Sequence, residues 1–171
     1  MLVLEPKVFG DARGFFLESY NRRVFKDATG VDAEFVQDNQ SFSVRNVVRG
    51  LHYQIRQPQA KLVQVLAGDI FDVAIDIRRS SPTFGKWTGT HLSGGTHRML
   101  WIPVGLAHGF LVCSEHAIVQ YKVTDYYAPQ YERTILWNDN NLGIEWPLEG
   151  EPILNEKDAR GRDFRSAELF D

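Results

Sequence analysis

The sequence predicts one all-β domain, and three observations support this prediction. Apolar and polar residues alternate with a period of two through most of the chain, as they do in half-buried strands. Turn-forming pieces rich in Ser, Gly, Pro and Asn separate these runs at the spacing of a sandwich or barrel. No repeat, low-complexity tract or linker divides the 171 residues, so we expect residues 1–171 to form one domain.

The composition narrows the class of protein and its compartment. A net charge of -3 at pH 7 and a pI near 5.9 argue against a nucleic-acid binder, because such proteins carry surplus basic residues. Cys113 is the only cysteine, so no internal disulfide can form and we expect a reducing compartment. No basic leader precedes Glu5, and no apolar run approaches the roughly twenty residues that span a bilayer. We therefore expect a cytoplasmic protein without a membrane partner.

Two strands are predicted on either side of a turn at Gly68. Residues 61–66 and 70–77 alternate with a period of two and are rich in β-branched side chains, so we expect them to pair as a hairpin. In the second strand, Asp72 and Asp76 share the face opposite the large apolar side chains. Two carboxylates are therefore expected to line one surface.

Five further short strands are predicted along the rest of the chain. In one of them Tyr121 shares its face with Val119 and Val123, so its side chain is predicted to point inward. The five strands are predicted at residues 84–92, 99–102, 109–112, 117–124 and 134–137.

Helices are predicted to be few, short and peripheral. Asn21 is a favourable N-cap, residues 22–28 form the helical body, and Gly30 follows as the C-terminal stop. One more turn of helix is expected near residues 155–159.

Three polar residues suggest proton transfer next to a carbonyl group. The imidazole of His52 is suited to act as a base, Lys61 can stabilise an enolate oxygen, and Tyr121 can act as an acid. Each also has an ordinary structural explanation: a core histidine bonded to backbone, a strand lysine with its charge in water, and a buried tyrosine with a tethered hydroxyl. The residues alone leave both explanations open.

A short motif bears on whether a metal is bound. Residues 103–108 read Pro-Val-Gly-Leu-Ala-His and match the Pro-x-Gly-x-x-His motif of the cupin superfamily, whose histidine projects into a small β-barrel. Metal-binding cupins add two histidines separated by one residue and then a glutamate. Here His52 is followed by Tyr53 and Gln54, so His52, Gln54 and His108 form a poor ligand set. We predict no metal, with a metal-dependent cupin oxygenase as the alternative.

A resemblance to one family extends over nearly the whole chain. The matching segments, in order, are residues 9–18, 35–41, 49–52, 81–85, 100–103, 107–110, 121–127 and 135–139. Together they resemble the dTDP-4-dehydrorhamnose 3,5-epimerase family. The resemblance implies a cupin-type jelly-roll β-barrel, active as a homodimer without metal or cofactor. It also implies inversion of C3 and C5 of dTDP-4-dehydro-6-deoxy-D-glucose, which gives dTDP-4-dehydro-L-rhamnose for polysaccharide biosynthesis.

The resemblance assigns four catalytic residues. It makes His52 the base and pairs this histidine with Asp158, a carboxylate that would fix the tautomer and stabilise the imidazolium. Lys61 would stabilise the enolate oxygen, and Tyr121 would return a proton from the opposite face of the sugar.

The same resemblance implies a set of contacts with the nucleotide sugar. Tyr127 matches the residue that stacks on thymine, and His108 is expected to face Asp72 across the barrel as an orienting pair. Arginine forks suit the pyrophosphate, and Arg13 can reach it from the neighbouring subunit. The full set of expected contacts is Arg13, Glu18, Gln37, Asp38, Asn39, Arg49, Asp72, His108, Tyr127, Glu132 and Lys157.

Three features depart from a simple transfer of the family pattern. Arg49 and His52 have opposite parity in a regular strand although both should face the ligand, so we predict a bulge at Gly50. Family members usually carry more residues before the Glu-Pro segment, in a strand exchanged between subunits, so we expect either a shortened exchange or an incomplete start. Asn155 stands where serine is more usual, which bears on how Asp158 is held.

Two more alternatives to the double epimerase remain open from the sequence. A close variant would invert only C3 or only C5, although the presence of base, lysine and tyrosine together favours double inversion. A sugar-nucleotide binding module without catalysis would hold the same ligand and leave it unchanged.

Overall fold

The computed structural model describes every residue from Met1 to Asp171 and contains twelve strands and two α-helices. The strands are β1 (Leu2–Leu4), β2 (Val8–Asp11), β3 (Gly14–Leu17), β4 (Gln37–Val44), β5 (Val48–Gln54), β6 (Lys61–Ala67), β7 (Asp69–Asp76), β8 (Trp87–Ser93), β9 (Met99–Ile102), β10 (Leu106–Val112), β11 (His116–Val123) and β12 (Glu132–Thr134). The helices are α1 (Arg22–Thr29) and α2 (Glu156–Ala159), and 3-10 turns cover Pro129–Tyr131 and Phe164–Ser166.

Two five-stranded antiparallel sheets pack face to face and form the barrel. The first sheet has the strand order β1-β9-β6-β11-β4, and the second has the order β12-β5-β10-β7-β8. Between β4 and β12 the chain changes sheet at every connection except β7 to β8, which is the arrangement of a jelly roll. The predicted all-β class and jelly-roll barrel are confirmed.

The predicted hairpin between β6 and β7 is wrong. β6 pairs with β9 and β11 in the first sheet, whereas β7 pairs with β8 and β10 in the second sheet. Gly68 lies between the two strands with a φ of 78°, and a Cβ there would lie 2.0 Å from the carbonyl oxygen of His116. The tight turn therefore carries the chain across to the facing sheet rather than back along its own sheet.

Apolar clusters lie on both faces of the second sheet, and a third cluster joins Phe25 of α1 to Trp101 of β9 in the first sheet. Val63 of β6 and Ile70 of β7 belong to the cluster that fills the space between the two sheets. Val73 and Ile75 of β7 belong to a second cluster, which includes Phe164 of the C-terminal segment. Since β7 is covered on both faces, most of its side chains are buried whichever way they point, and only Asp69 at its start is exposed.

The two carboxylates of β7 are both buried, and each has its own partners. Asp76 accepts hydrogen bonds from Arg78 Nη2 at 2.7 Å, Ser81 Oγ at 2.6 Å and Thr83 Oγ1 at 2.6 Å. Asp72 instead accepts from the imidazole of His108 on the neighbouring strand β10. Asp76 therefore stabilises the turn after β7, while Asp72 belongs to the site described below.

The predicted strands are present, with differences in their extent. β8 begins at Trp87 instead of residue 84, and β10 begins at Leu106 instead of residue 109, so His108 lies within a strand. The strand predicted at residues 134–137 is wrong in extent, because β12 ends at Thr134 and Ile135 forms only an isolated bridge.

The predicted helices are confirmed. Asn21 Oδ1 accepts the backbone N–H groups of Arg23 at 3.0 Å and Val24 at 3.3 Å, and Gly30 ends α1 in the left-handed region with a φ of 73°. Asn155 caps α2. Neither helix is long and apolar enough to cross a membrane.

Strands β2 and β3 form a hairpin that pairs with neither sheet. Phe9, Phe15 and Phe16 on this hairpin are all exposed, and the ring of Phe15 lies 4.3 Å from that of His97. We call residues 8–17 the arm. Contiguous exposed aromatic side chains of this kind mark an interaction surface.

Candidate active site

A cavity of about 350 Å³ opens between the two sheets and is lined mainly by polar side chains. Its walls come from β4, β6 and β11 of the first sheet, from β5, β10 and β12 of the second, and from α2. The lining residues are Gln37, Asn39, Ser41, Arg49, His52, Tyr53, Gln54, Gln59, Lys61, His108, Phe110, Tyr121, Tyr127, Glu132, Asn155, Lys157 and Asp158.

His52 projects from β5 into the cavity and is held by a carboxylate from the far end of the chain. Its Nε2 lies 2.5 Å from Asp158 Oδ1, and the side chain of Asp158 is only 1% exposed. Asn155 Oδ1 accepts the backbone N–H of Asp158 at 2.7 Å, which fixes the start of α2 against β5. Because the Asp158 carboxylate accepts a hydrogen bond from Nε2–H, Nδ1 of His52 is left as the basic nitrogen.

A bulge in β5 brings Arg49 and His52 to the same cavity. His52 pairs with His108 of β10 and Arg49 pairs with Phe110, so three steps along β5 match two steps along β10. Gly50 lies in the bulge, with a φ of 131° and a cis peptide bond to Leu51. The bulge predicted from the parity of the two side chains is confirmed.

Lys61, His108 and Asp72 form a chain of polar contacts at the base of the cavity. His108 Nε2 lies 2.8 Å from Asp72 Oδ2, and His108 Nδ1 lies 3.4 Å from Lys61 Nζ. Asp72 is fully buried, with 0% of its side chain exposed. A neutral imidazole that donates from Nε2 and accepts at Nδ1 satisfies both contacts.

Burial sets the protonation of this chain. Removal from water lowers the pKa of His108, so the ring is neutral at pH 7. The same desolvation lowers the pKa of Lys61 to about 8, although the charge of Asp72 acts in the opposite direction. Lys61 is therefore mostly protonated at neutral pH but holds its proton less firmly than a surface lysine.

Tyr121 lies on the wall opposite His52. It projects from β11 in the first sheet, whereas His52 projects from β5 in the second sheet, and both side chains line the one cavity. Tyr121 shares its face with the buried Val119 and Val123, so its predicted inward direction is confirmed. Burial raises the pKa of the Tyr121 hydroxyl, which keeps it protonated and able to donate.

Polar side chains at the mouth of the cavity are linked through Glu132. This carboxylate accepts from Tyr127 Oη at 2.9 Å and from Lys157 Nζ at 2.8 Å. Burial acts to raise the pKa of Glu132, but these hydrogen bonds outweigh it and hold the pKa below its ordinary value. Nearby, Gln37 Nε2 donates to Asn39 Oδ1 at 2.7 Å. The ring of Tyr127, which is 52% exposed, stands at the rim.

Four of the predicted substrate contacts do not line this cavity, and one of them, Asp72, is buried behind it, where it is bonded to His108. Arg13 lies on the arm, where its exposed guanidinium is paired with Asp11, and Glu18 is exposed just after the arm. Asp38 lies on the opposite face of β4 from the cavity-lining residues Gln37 and Asn39. Its carboxylate is 2.8 Å from Lys122 Nζ. Their roles stay predictions.

Some cavity residues were missed from the sequence. Ser41 could have been found from parity, since it follows Gln37 and Asn39 at intervals of two on β4. Phe110 likewise follows His108 on β10. Gln59 lies in the loop before β6, and loop contacts give no periodic signal.

The residues named for a metal-dependent oxygenase have other partners. His108 has Asp72 at Nε2 and the Lys61 ammonium group at Nδ1, and both ends of the Gln54 carboxamide are hydrogen bonded to backbone, so only Nδ1 of His52 is left as a donor to a metal. No group of three or more His, Cys, Asp or Glu side chains is placed to hold a metal ion. This donor set does not fit a first-row metal.

Comparison with known proteins decides the family. The family described as dTDP-4-dehydrorhamnose 3,5-epimerase matches residues 1–166. The chain belongs to the dTDP-4-dehydrorhamnose 3,5-epimerase family. Within that family, the enzyme of Pseudomonas aeruginosa is 56% identical over 170 residues, covering 99% of this chain and 94% of the relative.

Two crystal structures of relatives share the barrel. The dTDP-6-deoxy-D-glucose-3,5-epimerase of Legionella pneumophila, in complex with dTDP-4-keto-L-rhamnose, has a TM-score of 0.95 and 50% identity, covering 97% of this chain and 88% of that chain. The 3'-monoepimerase ChmJ of Streptomyces bikiniensis, in complex with dTDP-quinovose, has a TM-score of 0.90 and 32% identity, covering 96% and 83%. Both of those structures contain a dTDP-sugar.

Proposed function

We propose that this chain is a cofactor-independent carbohydrate epimerase that converts dTDP-4-dehydro-6-deoxy-D-glucose to dTDP-4-dehydro-L-rhamnose by inverting C3 and C5, in dTDP-L-rhamnose biosynthesis. The observation that carries the proposal is the placement of His52 and Tyr121 on opposite walls of one cavity, with Lys61 between the sheets. Inversion at a carbon next to a ketone requires a base on one face and an acid on the other, and the imidazole and the phenol can supply them.

The first half of the reaction removes a proton next to the ketone. Nδ1 of His52 takes the proton from C3 or C5, and the buried carboxylate of Asp158 stabilises the imidazolium that forms. The electron pair of the broken C–H bond moves toward the C4 carbonyl and leaves negative charge on its oxygen. Lys61 supplies a positive charge for that enolate oxygen, and His108 orients the ammonium group.

The second half returns a proton from the opposite face. Tyr121, whose raised pKa keeps the phenol protonated, gives its proton to the enolate carbon while the C4 carbonyl re-forms. His52 and Tyr121 then exchange protons with solvent before the next inversion. Each inverted carbon therefore gains a hydrogen derived from water.

The mouth of the cavity is suited to the nucleotide. Tyr127 presents an aromatic face for the thymine ring. Lys157 is linked to Tyr127 because Glu132 accepts a hydrogen bond from each of them. Arg49, which is held by Ser43 Oγ at 2.9 Å, contributes a guanidinium suited to the pyrophosphate. The relatives named as 3,5-epimerases are more similar in sequence than the S. bikiniensis monoepimerase, at 56% and 50% against 32% identity, which favours inversion of both carbons.

We further propose a cytoplasmic homodimer. The arm exposes Phe15 and Phe16 on a hairpin outside both sheets, so a second copy of the chain would bury them. Arg13 and Glu18 are exposed and do not line the cavity of their own chain. In such a dimer they are available to the cavity of the neighbouring subunit. Sedimentation velocity of the purified protein should give a mass of two chains, and Phe16→Glu should shift it to one.

The test of the activity is incubation with dTDP-4-dehydro-6-deoxyglucose in heavy water, followed by proton NMR. We expect deuterium at both C3 and C5 of the product. Deuterium at one carbon alone would identify a monoepimerase. His52→Asn should bind dTDP as tightly as the native protein and abolish exchange, whereas binding without turnover in the native protein would indicate a binding module.

A further inference from the structure

Gln54 is a buried polar residue to which the proposed reaction gives no role. It is the last residue of β5, two positions after His52, and only 4% of it is exposed. Its Nε2 donates to the carbonyl oxygens of Gln57 at 2.7 Å and Tyr126 at 3.3 Å, and its Oε1 accepts the backbone N–H of Ala128 at 2.8 Å. Both ends of the carboxamide are therefore bonded to backbone.

These bonds clamp the segment that carries Tyr127. Gln54 binds the backbone immediately before and immediately after Tyr127, at Tyr126 and at Ala128. This segment lies between the end of β11 and the start of β12, where no ladder of strand hydrogen bonds holds it. Its other side-chain anchors, the bonds from Tyr127 to Gln37 at 3.1 Å and to Glu132 at 2.9 Å, are on the exposed side, and the carbonyl oxygen of Ala128 also accepts from the backbone N–H of Tyr131 at 2.9 Å.

We infer that Gln54 is a positioning residue that sets the location of the Tyr127 ring, and so determines affinity for the nucleotide half of the substrate. The inference rests on the proposed function, because it takes Tyr127 as the face for the thymine ring. A buried carboxamide anchored to β5 connects the rigid barrel to the exposed rim. Although Gln54 lines the cavity, both ends of its carboxamide are occupied by backbone groups, so it acts on binding through the position of Tyr127.

The bonding pattern requires an amide at this position. The site offers two carbonyl oxygens, which need donors, and one N–H, which needs an acceptor. In Gln54→Glu the carboxylate still accepts from Ala128 but confronts the carbonyl oxygens of Gln57 and Tyr126 without a donor. Because a buried group left without its partner is unfavourable, the segment should move away from its native position.

The experiment is a double-mutant cycle on dTDP binding, measured by isothermal titration calorimetry with Gln54→Glu, Tyr127→Ala and the double variant. We expect Gln54→Glu to raise the Kd for dTDP by about tenfold, which corresponds to about 1.4 kcal/mol. In the Tyr127→Ala background the same substitution should change the Kd by less than about twofold. Epimerisation by Gln54→Glu should show a raised KM with kcat within about threefold of native.

Controls separate positioning from general damage. Gln54→Met keeps the length of the side chain without its amide and should raise the Kd for dTDP by a similar factor. It replaces Gln54→Glu in the cycle if that variant folds poorly. Gln130→Leu alters an exposed glutamine in the neighbouring 3-10 turn and should leave Kd and KM unchanged.

The outcomes distinguish this inference from the proposed function. If the native protein neither binds dTDP nor exchanges deuterium, the proposed function is wrong. If the native protein is active but the Gln54→Glu effect on the Kd is equally large with and without Tyr127, Gln54 acts elsewhere and the inference is wrong. A lower kcat at unchanged KM and Kd would also overturn it.

Discussion

The base of the cavity and its mouth hold their charged side chains in different ways. At the base, Asp158 and Asp72 are almost completely buried, and each is bonded to one imidazole. At the mouth, the Lys157 and Glu132 pair is partly exposed, and Tyr127 is half exposed. Exposed pairs are weak because water and salt screen them, whereas buried carboxylates act on their partners at low dielectric. We therefore expect proton transfer to depend on the side chains at the base, and affinity for the nucleotide to depend on those at the mouth.

Substitution of the buried carboxylate should have the largest effect. Asp158→Asn removes the charge that stabilises the His52 imidazolium. The new amide can also donate a hydrogen bond to Nε2, which selects the wrong tautomer of the ring. We expect kcat to fall by about a thousandfold or more, with the Kd for dTDP unchanged. Asp163→Asn, an exposed aspartate after the same helix, is the control. A loss of less than tenfold would contradict the role of the pair.

Removal of the ammonium group at the base should have the next largest effect. Lys61→Met keeps the apolar stem but removes the charge that would face the enolate oxygen. Loss of one such group from a preorganised site lowers kcat by about a hundredfold to a thousandfold. Deuterium exchange at C3 and C5 should slow by the same factor, because proton removal itself is impaired. Unchanged exchange with slower product formation would place Lys61 in a later step.

The pH dependence should also distinguish the base from the mouth. Because the pKa of Lys61 is about 8, the ammonium form disappears as the pH rises through 8, and kcat/KM should fall above that pH. The effect on stability has the opposite sign. Between about 8 and 10.5 the unfolded chain binds more protons at this group than the folded chain, so its contribution to stability rises with pH. Comparison of native protein with Lys61→Met, by initial rates and thermal unfolding, isolates both trends.

Changes at the mouth should have the smallest effect. Lys157→Ala removes one exposed ion pair with Glu132, so we expect the Kd for dTDP to rise by about two- to fivefold with kcat unchanged. The rise should diminish at high salt. Arg160→Ala removes the exposed pair with Glu156 on the same helix and is the matched control. A large loss of kcat in Lys157→Ala would erase the contrast between the two regions.

Local signals in the sequence predicted part of the structure well. The caps of α1 depend on side chains next to the helix ends, and the bulge at Gly50 follows from the parity of Arg49 and His52. The hairpin predicted at Gly68 is wrong, because a tight glycine turn has the same sequence signal whether the chain returns in one sheet or crosses to the facing sheet.

The long-range contacts of the site could not be read from spacing. His52 and Asp158 are separated by 106 positions, and their pairing was expected only from the family resemblance. The clamp by Gln54 on a segment more than 70 positions away has no sequence signal at all, since its partners are backbone atoms. Periodicity locates strands and faces, but it does not report which loop a buried amide holds.

The close approach of the paired strands β5 and β10 at the bulge makes two glycines as sensitive to substitution as the reacting groups. A Cβ on Gly50 would lie 2.5 Å from Gly109 Cα, and a Cβ on Gly109 would lie 2.6 Å from the carbonyl oxygen of Arg49. A genetic screen for dead variants of this barrel should therefore return these two positions, which carry no functional group, alongside the imidazole and the phenol.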